Sequence, residues 1–179
     1  MEGPWFPGTP VTGGASELAA AIAAAVGPGG MHVRGELFLR PASLRLEYGH
    51  ADPDAYYSSW LDVDAVRREV LDRALRGTVL TALRDPDSDR SIRAAPHPVA
   101  RTGVVVVDAA FLIGVVGSAD LTVHVQVSPA ALARRTPPGW EWTCAAYERH
   151  RREHRAAAAA DVVLHADHPG RPAISLTTG

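Results

Sequence analysis

The sequence contains no lysine. All 18 of its basic side chains are arginine, set against 20 acidic residues, so any phosphate group the protein holds is held without an ammonium. The single Cys144 excludes an internal disulfide. Long apolar runs are also missing. The longest, Val104 to Val107 leading into Ala109 to Val116, is interrupted by Asp108 and is too short to span a bilayer. The start, Met1-Glu2-Gly3-Pro4, has neither the positive segment nor the apolar segment of a secretory signal, and with the lone cysteine this leads us to expect a cytoplasmic protein. A formal charge of −2 offers no general attraction to nucleic acid or anionic membrane, which leaves only local arginine clusters for phosphate. Exclusive use of arginine beside abundant alanine is the mark of a GC-rich genome. Composition therefore narrows function very little.

What is present fits one compact domain over residues 1–179, with 46% hydrophobic residues to build its core. Ser16 to Val26 is alanine-rich, with Leu18 and Ile22 four apart, and predicts a helix capped by Ser16. Gly27-Pro28-Gly29-Gly30 ends it, and Met31 to Leu39 reads as a strand that stops before Pro41. A second helix runs from Asp62 or Asp64 to Leu75, with Leu61, Val66, Val70, Leu71 and Leu75 forming one apolar stripe. Thr78 to Leu83 reads as a strand and Arg84 to Pro98 as a loop. Val104 to Val107 has the unbroken apolar character of a strand buried on both faces of a parallel sheet. Leu121 to Val127 predicts another strand, Ala130 to Arg135 a short helix, Thr143 to Ala160 a long helix, and Asp161 to His165 a last strand. Strands alternating with helices imply a doubly wound, parallel α/β sheet flanked by helices in three layers.

Ligands of such sheets sit at the carboxyl ends of the strands. Asp108 follows the valine run there, where a carboxylate holds Mg²⁺ or a metal-bound water, although an aspartate after a strand is also an ordinary turn residue. Glu36 and Arg40 lie at the end of the strand expected over Met31 to Leu39, an acid and a base near enough to face one pocket or simply to pair on the surface.

Several segments, in order, resemble the uridine kinase-like family of P-loop phosphotransferases, of the small actinobacterial type. Glu36-Leu37-Phe38-Leu39-Arg40-Pro41 stands where that family has Asp-Gly-Phe-His/Tyr-Arg-Pro, with Phe38, Arg40 and Pro41 agreeing. The resemblance continues through Pro53 to Tyr57, Leu61 to Asp64, Leu80 to Asp85, Asp108-Ala109-Ala110-Phe111-Leu112, Leu132 to Arg134, Tyr147 and Ala160 to Val163. It implies a P-loop kinase fold with a short lid over about 130–146, ATP as donor, Mg²⁺ as cofactor, and a nucleoside or similar small hydroxyl compound as acceptor.

The resemblance further implies that Gly13, Gly14, Ala15 and Ser16 occupy the phosphate loop and that Ser16 and Asp108 organise the metal. Glu36 takes the acceptor proton where the family has aspartate, beside Arg40. Arg134, with Arg135 near it, faces the transferring phosphoryl group from the lid. Phe38, Tyr56 and Tyr57 line the acceptor side, together with Arg40 and Trp60. The phosphate loop departs from G-x-x-x-x-G-K-[ST] in that Ala15 stands on the lysine, Thr9 on the first glycine, and Pro7 and Pro10 remove N–H donors. Arg34 and Arg40 are the nearest substitutes for the missing ammonium, and a guanidinium is not equivalent to it. The strand that precedes the loop in the family matches here only at Gly3-Pro4, which implies either a start upstream of Met1 or a truncated central strand.

Two other classes fit parts of the sequence. One is a non-catalytic relative that keeps the acceptor pocket and binds a small ligand or partner. The other is a zinc hydrolase, because His150-Arg151-Arg152-Glu153-His154 matches H-x-x-E-H, with His165 and Asp167 as further candidate ligands. Against zinc, Arg149, Arg151, Arg152 and Arg155 crowd the same helix, and the plainer reading is a solvated polar face. The arginine stripe has no aromatic platform for RNA.

Overall fold

The computed structural model describes residues 14–117, 119–168 and 170–177. Helix α1, Ala15–Val26, starts after Gly14 at φ 89°, so Ser16 lies within the first turn and makes no side-chain cap, contrary to expectation. A tight turn at Gly27–Gly29 returns the chain into strand β1, Gly30–Arg34. α1 packs against this strand closely enough that a Cβ on Gly30 would stand 1.9 Å from the carbonyl oxygen of Ala23. Only glycine fits there.

β1 ends at Arg34, five residues short of the expected Leu39, and the chain enters a 3₁₀ turn, Gly35–Phe38. The turn draws Phe38 fully into the core, and the carbonyl of Leu37 accepts from the backbone N–H groups of Leu83 and Arg84, both at 3.0 Å. Two short helices follow before the second expected helix: α2, Ala42–Arg45, and α3, Pro53–Ser59, capped by Asp52. Helix α4, Val63–Val66, is capped by Asp62 and passes through a π turn, Arg67–Leu71, into α5, Asp72–Ala74. Val66 and Val70 are fully buried, but Leu75, expected in the same stripe, is 82% exposed. The widened π turn shifts the helical phase by about one residue and carries Leu75 off the buried face.

The predicted strand Thr78 to Leu83 shrinks to β2, Thr78–Val79, paired antiparallel with β3, His97–Pro98. Beyond Val79 the backbone bonds elsewhere, Leu80 to the Glu69 carbonyl and Leu83 to Leu37. β4, Val104–Asp108, pairs parallel with β1 in a register that sets Val33 beside Val107 and Arg34 beside Asp108. β5, Val123–Gln126, and helix α6, Pro129–Arg135, capped by Ser128, appear where expected. The long C-terminal helix divides into α7, Cys144–His154, and α8, Ala156–Ala159, at Arg155, whose φ of 47° stops the helix. β6, Val162–His165, lies parallel to β5, and β7, Ala173–Leu176, adds an antiparallel strand that the sequence did not reveal.

The fold is therefore α/β, with parallel strand pairs flanked by helices. Its core has two parts. Val33, Phe38, Ala65, Val66, Val70 and Val79 form one. Ala55, Tyr56, Trp60, Phe111 and Ala146 form the other. β4 is covered on both faces but not sealed, and Val104 is 41% exposed, because among the described residues β4 has a strand partner on one edge only. Among those residues no helix is long and apolar enough to cross a membrane.

Candidate functional site

Side chains alternate across a strand, so each face of the β1–β4 pair can be assigned. Val33, with Val105 and Val107, faces the core built on Val66 and Val70. Gly30 faces Ala23 of α1. His32, Val106 and Asp108 share the face of Gly30 and so lie on the α1 side. Since the Ala23 end of α1 meets the beginning of β1, the helix runs back along the strands and brings its N-terminus to their carboxyl ends. Gly14, Ala15 and Ser16 thus open over the end where Asp108 stands. The first four N–H groups of such a helix have no intrahelical acceptor and favour an anion.

At that end lies a contact that reading the sequence missed. His32 Nε2 donates to Asp108 Oδ1 at 2.7 Å, with the two side chains only 17% and 8% exposed. A strand-internal histidine two positions before an arginine carries no motif. The signal was topological: once β1 and β4 are neighbours in parallel register, His32 and Asp108 fall on one face. The other oxygen of Asp108 takes no hydrogen bond among the described residues. Close beside it, a Cβ on Gly35 would come within 2.3 Å of the Ala109 Cβ and 2.5 Å of the Asp108 carbonyl oxygen, so glycine is what lets the two strand exits cross.

Among the described residues no three His, Cys, Asp or Glu side chains gather to hold a metal by themselves. A cation at Asp108 would take its remaining ligands from phosphate and water, as Mg²⁺ does, being held by one or two carboxylates plus substrate oxygens. A hard oxygen donor fixed by a hydrogen bond beside a helix N-terminus fits that group.

The remaining candidate residues are dispersed around this centre. Glu36 stands in the turn after β1 with Arg34 Nη1 3.1 Å from its carboxylate. Arg40 is held through its backbone: its N–H donates to the Trp60 carbonyl at 2.8 Å, and its own carbonyl accepts from Arg45 Nε at 2.7 Å. Phe38 is completely buried in the first core and presents no face to a ligand. Tyr56 is buried in the second, with its ring edge-on to Trp60, Phe111 and Trp142 at 5.1, 5.5 and 5.5 Å, and its hydroxyl 3.3 Å from that of Tyr147. Burial raises the pKa of both phenols. Tyr57 is more open. Its hydroxyl donates to Glu153 at 2.8 Å and the Arg149 guanidinium lies 4.6 Å from its ring centre.

Within the expected lid, Arg134 is exposed on α6, whereas Arg135 donates to the carbonyl oxygens of Ala166 and Asp167 at 2.5 and 2.9 Å. Gly13 lies outside the described residues, as do Pro7, Thr9 and Pro10. The segment read as a solvated face proves to be partly internal. His150 is buried, donates through Nε2 to the Ile113 carbonyl at 3.0 Å, and packs 5.0 Å from the His154 ring. Glu153 is taken by Arg149 and Tyr57. These roles are structural ones, and among the described residues His150, Glu153 and His154 do not gather as a three-residue ligand group.

The chain is similar in structure to a possible uridine kinase from Bacillus stearothermophilus, with a TM-score of 0.65 and 15% identity, over 85% of this chain and 82% of that one. The fold is kinase-like. No protein-family model matches the chain, and no curated protein matches it in sequence. At this identity the likeness is one of fold, and function rests on the site.

Proposed function

We propose that the protein is an ATP- and Mg²⁺-dependent phosphotransferase acting on a nucleoside or similar small hydroxyl acceptor. The observation that carries this reading is the position of Asp108 in a kinase-like fold: at the carboxyl end of a parallel strand, on the face of α1, with one oxygen held by His32 and the other without a hydrogen bond among the described residues. Gly14, Ala15 and Ser16 cradle the phosphates through backbone N–H groups, and Ser16 and Asp108 hold the cation. Glu36 accepts the proton of the acceptor hydroxyl once Arg34 releases it. Arg40 and Arg134 supply positive charge toward the phosphoryl group, Arg135 steadies the lid, and Tyr57 faces the acceptor over the support of Phe38 and Tyr56. Phosphoryl transfer needs mainly positioning and electrostatic stabilisation, which these groups provide.

A second reading is favoured by one feature of the chain. Without lysine, the loop lacks the group that reaches the outer phosphates, and Arg34, one of the two nearest substitutes, is paired with Glu36. A relative that binds a small ligand without transferring phosphate fits this. Calorimetric titration with a non-hydrolysable ATP analogue, with and without Mg²⁺, separates the two. The kinase reading predicts micromolar binding that requires Mg²⁺ and weakens in Asp108→Asn. No binding up to millimolar analogue contradicts it and leaves the ligand-binding relative.

A further inference from the structure

We propose that His32 is the positioning residue for Asp108 and, through it, for the divalent cation that accompanies the nucleotide. This inference rests on the phosphotransferase reading and adds to it a residue that the resemblance did not supply. A carboxylate at the end of a strand can rotate about χ1 and χ2, and a cation gains most from one already turned toward it. His32 removes that freedom. Its Nε2 lies 2.7 Å from Asp108 Oδ1, and both side chains are largely covered. The fixed register of β1 on β4 and the packing of α1 on their shared face hold the ring in place.

The carboxylate accepts, so Nε2 carries the proton. Oδ1 is thereby occupied, and Oδ2 is left as the oxygen without a hydrogen bond among the described residues. Partners that fix a metal-binding carboxylate or imidazole commonly change metal affinity by about 10- to 100-fold when removed. Among the described residues no other side chain makes a hydrogen bond to Asp108. Arg34, next along the same face, pairs instead with Glu36.

The test uses Mn²⁺ as the probe. Its affinity for the full chain is measured by electron paramagnetic resonance in the presence of a non-hydrolysable ATP analogue, for wild type, His32→Leu and His32→Gln, with metal-free thermal unfolding in parallel. His32→Leu should weaken Mn²⁺ binding by about 10- to 100-fold. His32→Gln, whose amide nitrogen reaches near the position of Nε2, should restore most of it, and neither change should alter Mn²⁺ affinity in an Asp108→Asn background. If the leucine variant does not fold, His32→Phe, which keeps the ring shape without the N–H, takes its place.

Wild-type affinity in the apolar variant overturns the inference while the phosphotransferase reading stands. An equal loss in the glutamine variant also overturns it, because restoring the donor then restores nothing. If the wild-type protein binds no Mn²⁺ with or without the analogue, the phosphotransferase reading falls and this inference falls with it.

Discussion

At the residue scale the histidines show how burial sets chemistry. His150 is pushed below the ordinary histidine pKa chiefly by burial, with the Ile113 carbonyl and Glu153 opposing and His154 adding to the shift. His124 is lowered as well, by burial first and then by His150 and His165. Because the folded values lie below the unfolded value of about 6.5, the unfolded chain takes up protons first as the pH falls. Stability is therefore full above about pH 6.5 and declines through the window between that value and the lowered native ones. Thermal unfolding across pH 5 to 8 should show a midpoint that is level at the alkaline end and drops toward the acid end. His150→Gln should flatten that slope, since the amide can still donate to Ile113 and does not titrate. An unchanged slope would show that His150 contributes nothing to it.

At the element scale, α1 is where sequence and site meet. Its N-terminus stands over the strand ends, and Ala15 is the residue that the proposed phosphate loop would set in the place of a lysine. If the loop still holds phosphate through backbone N–H groups, Ala15→Lys should tighten binding of an ATP analogue by at least about tenfold, equivalent to about 1.4 kcal/mol. Calorimetry that finds no gain would show that the helix end does not face the phosphates. The elements differed in how far the sequence revealed them. α1, β4, α6 and β6 were legible because composition and apolar runs act locally. The end of β1 and the shortness of β2 were not, because distant backbone partners decide them: the Leu37 carbonyl takes the N–H groups of Leu83 and Arg84, and Leu80 turns to Glu69. The exposure of Leu75 depends on a π turn, which a regular helical period cannot anticipate. Asp108 was legible as the residue ending an apolar run. His32 was not, because its role exists only once β1 lies beside β4.

At the scale of the whole molecule, the described strands fall into the β1–β4 pair, the β2–β3 pair and the β5–β6–β7 group, with no strand pairing between them. Side-chain packing must supply much of the cohesion. Phe111 occupies a central place, three residues after Asp108, with φ at 64°, and it packs on Tyr56, Tyr57, Tyr147 and His150. It ties the exit of β4 to α3 and α7. Phe111→Ala should cost about 3–5 kcal/mol in urea unfolding, as expected for a buried aromatic in a well-packed cluster. A loss below about 1 kcal/mol would mean that the cluster collapses around the gap or is not central to stability.

The claim on which the account turns is that Asp108 serves phosphoryl transfer in a protein without lysine. Phosphorus-31 NMR of the protein with MgATP and a panel of nucleosides tests it most directly, run in parallel on Asp108→Asn. With wild-type protein a nucleoside monophosphate resonance should grow and need Mg²⁺, and its rate should fall by at least about 10²-fold in the variant. The absence of any phosphorylated acceptor with the wild type, or equal rates in the two proteins, would contradict it.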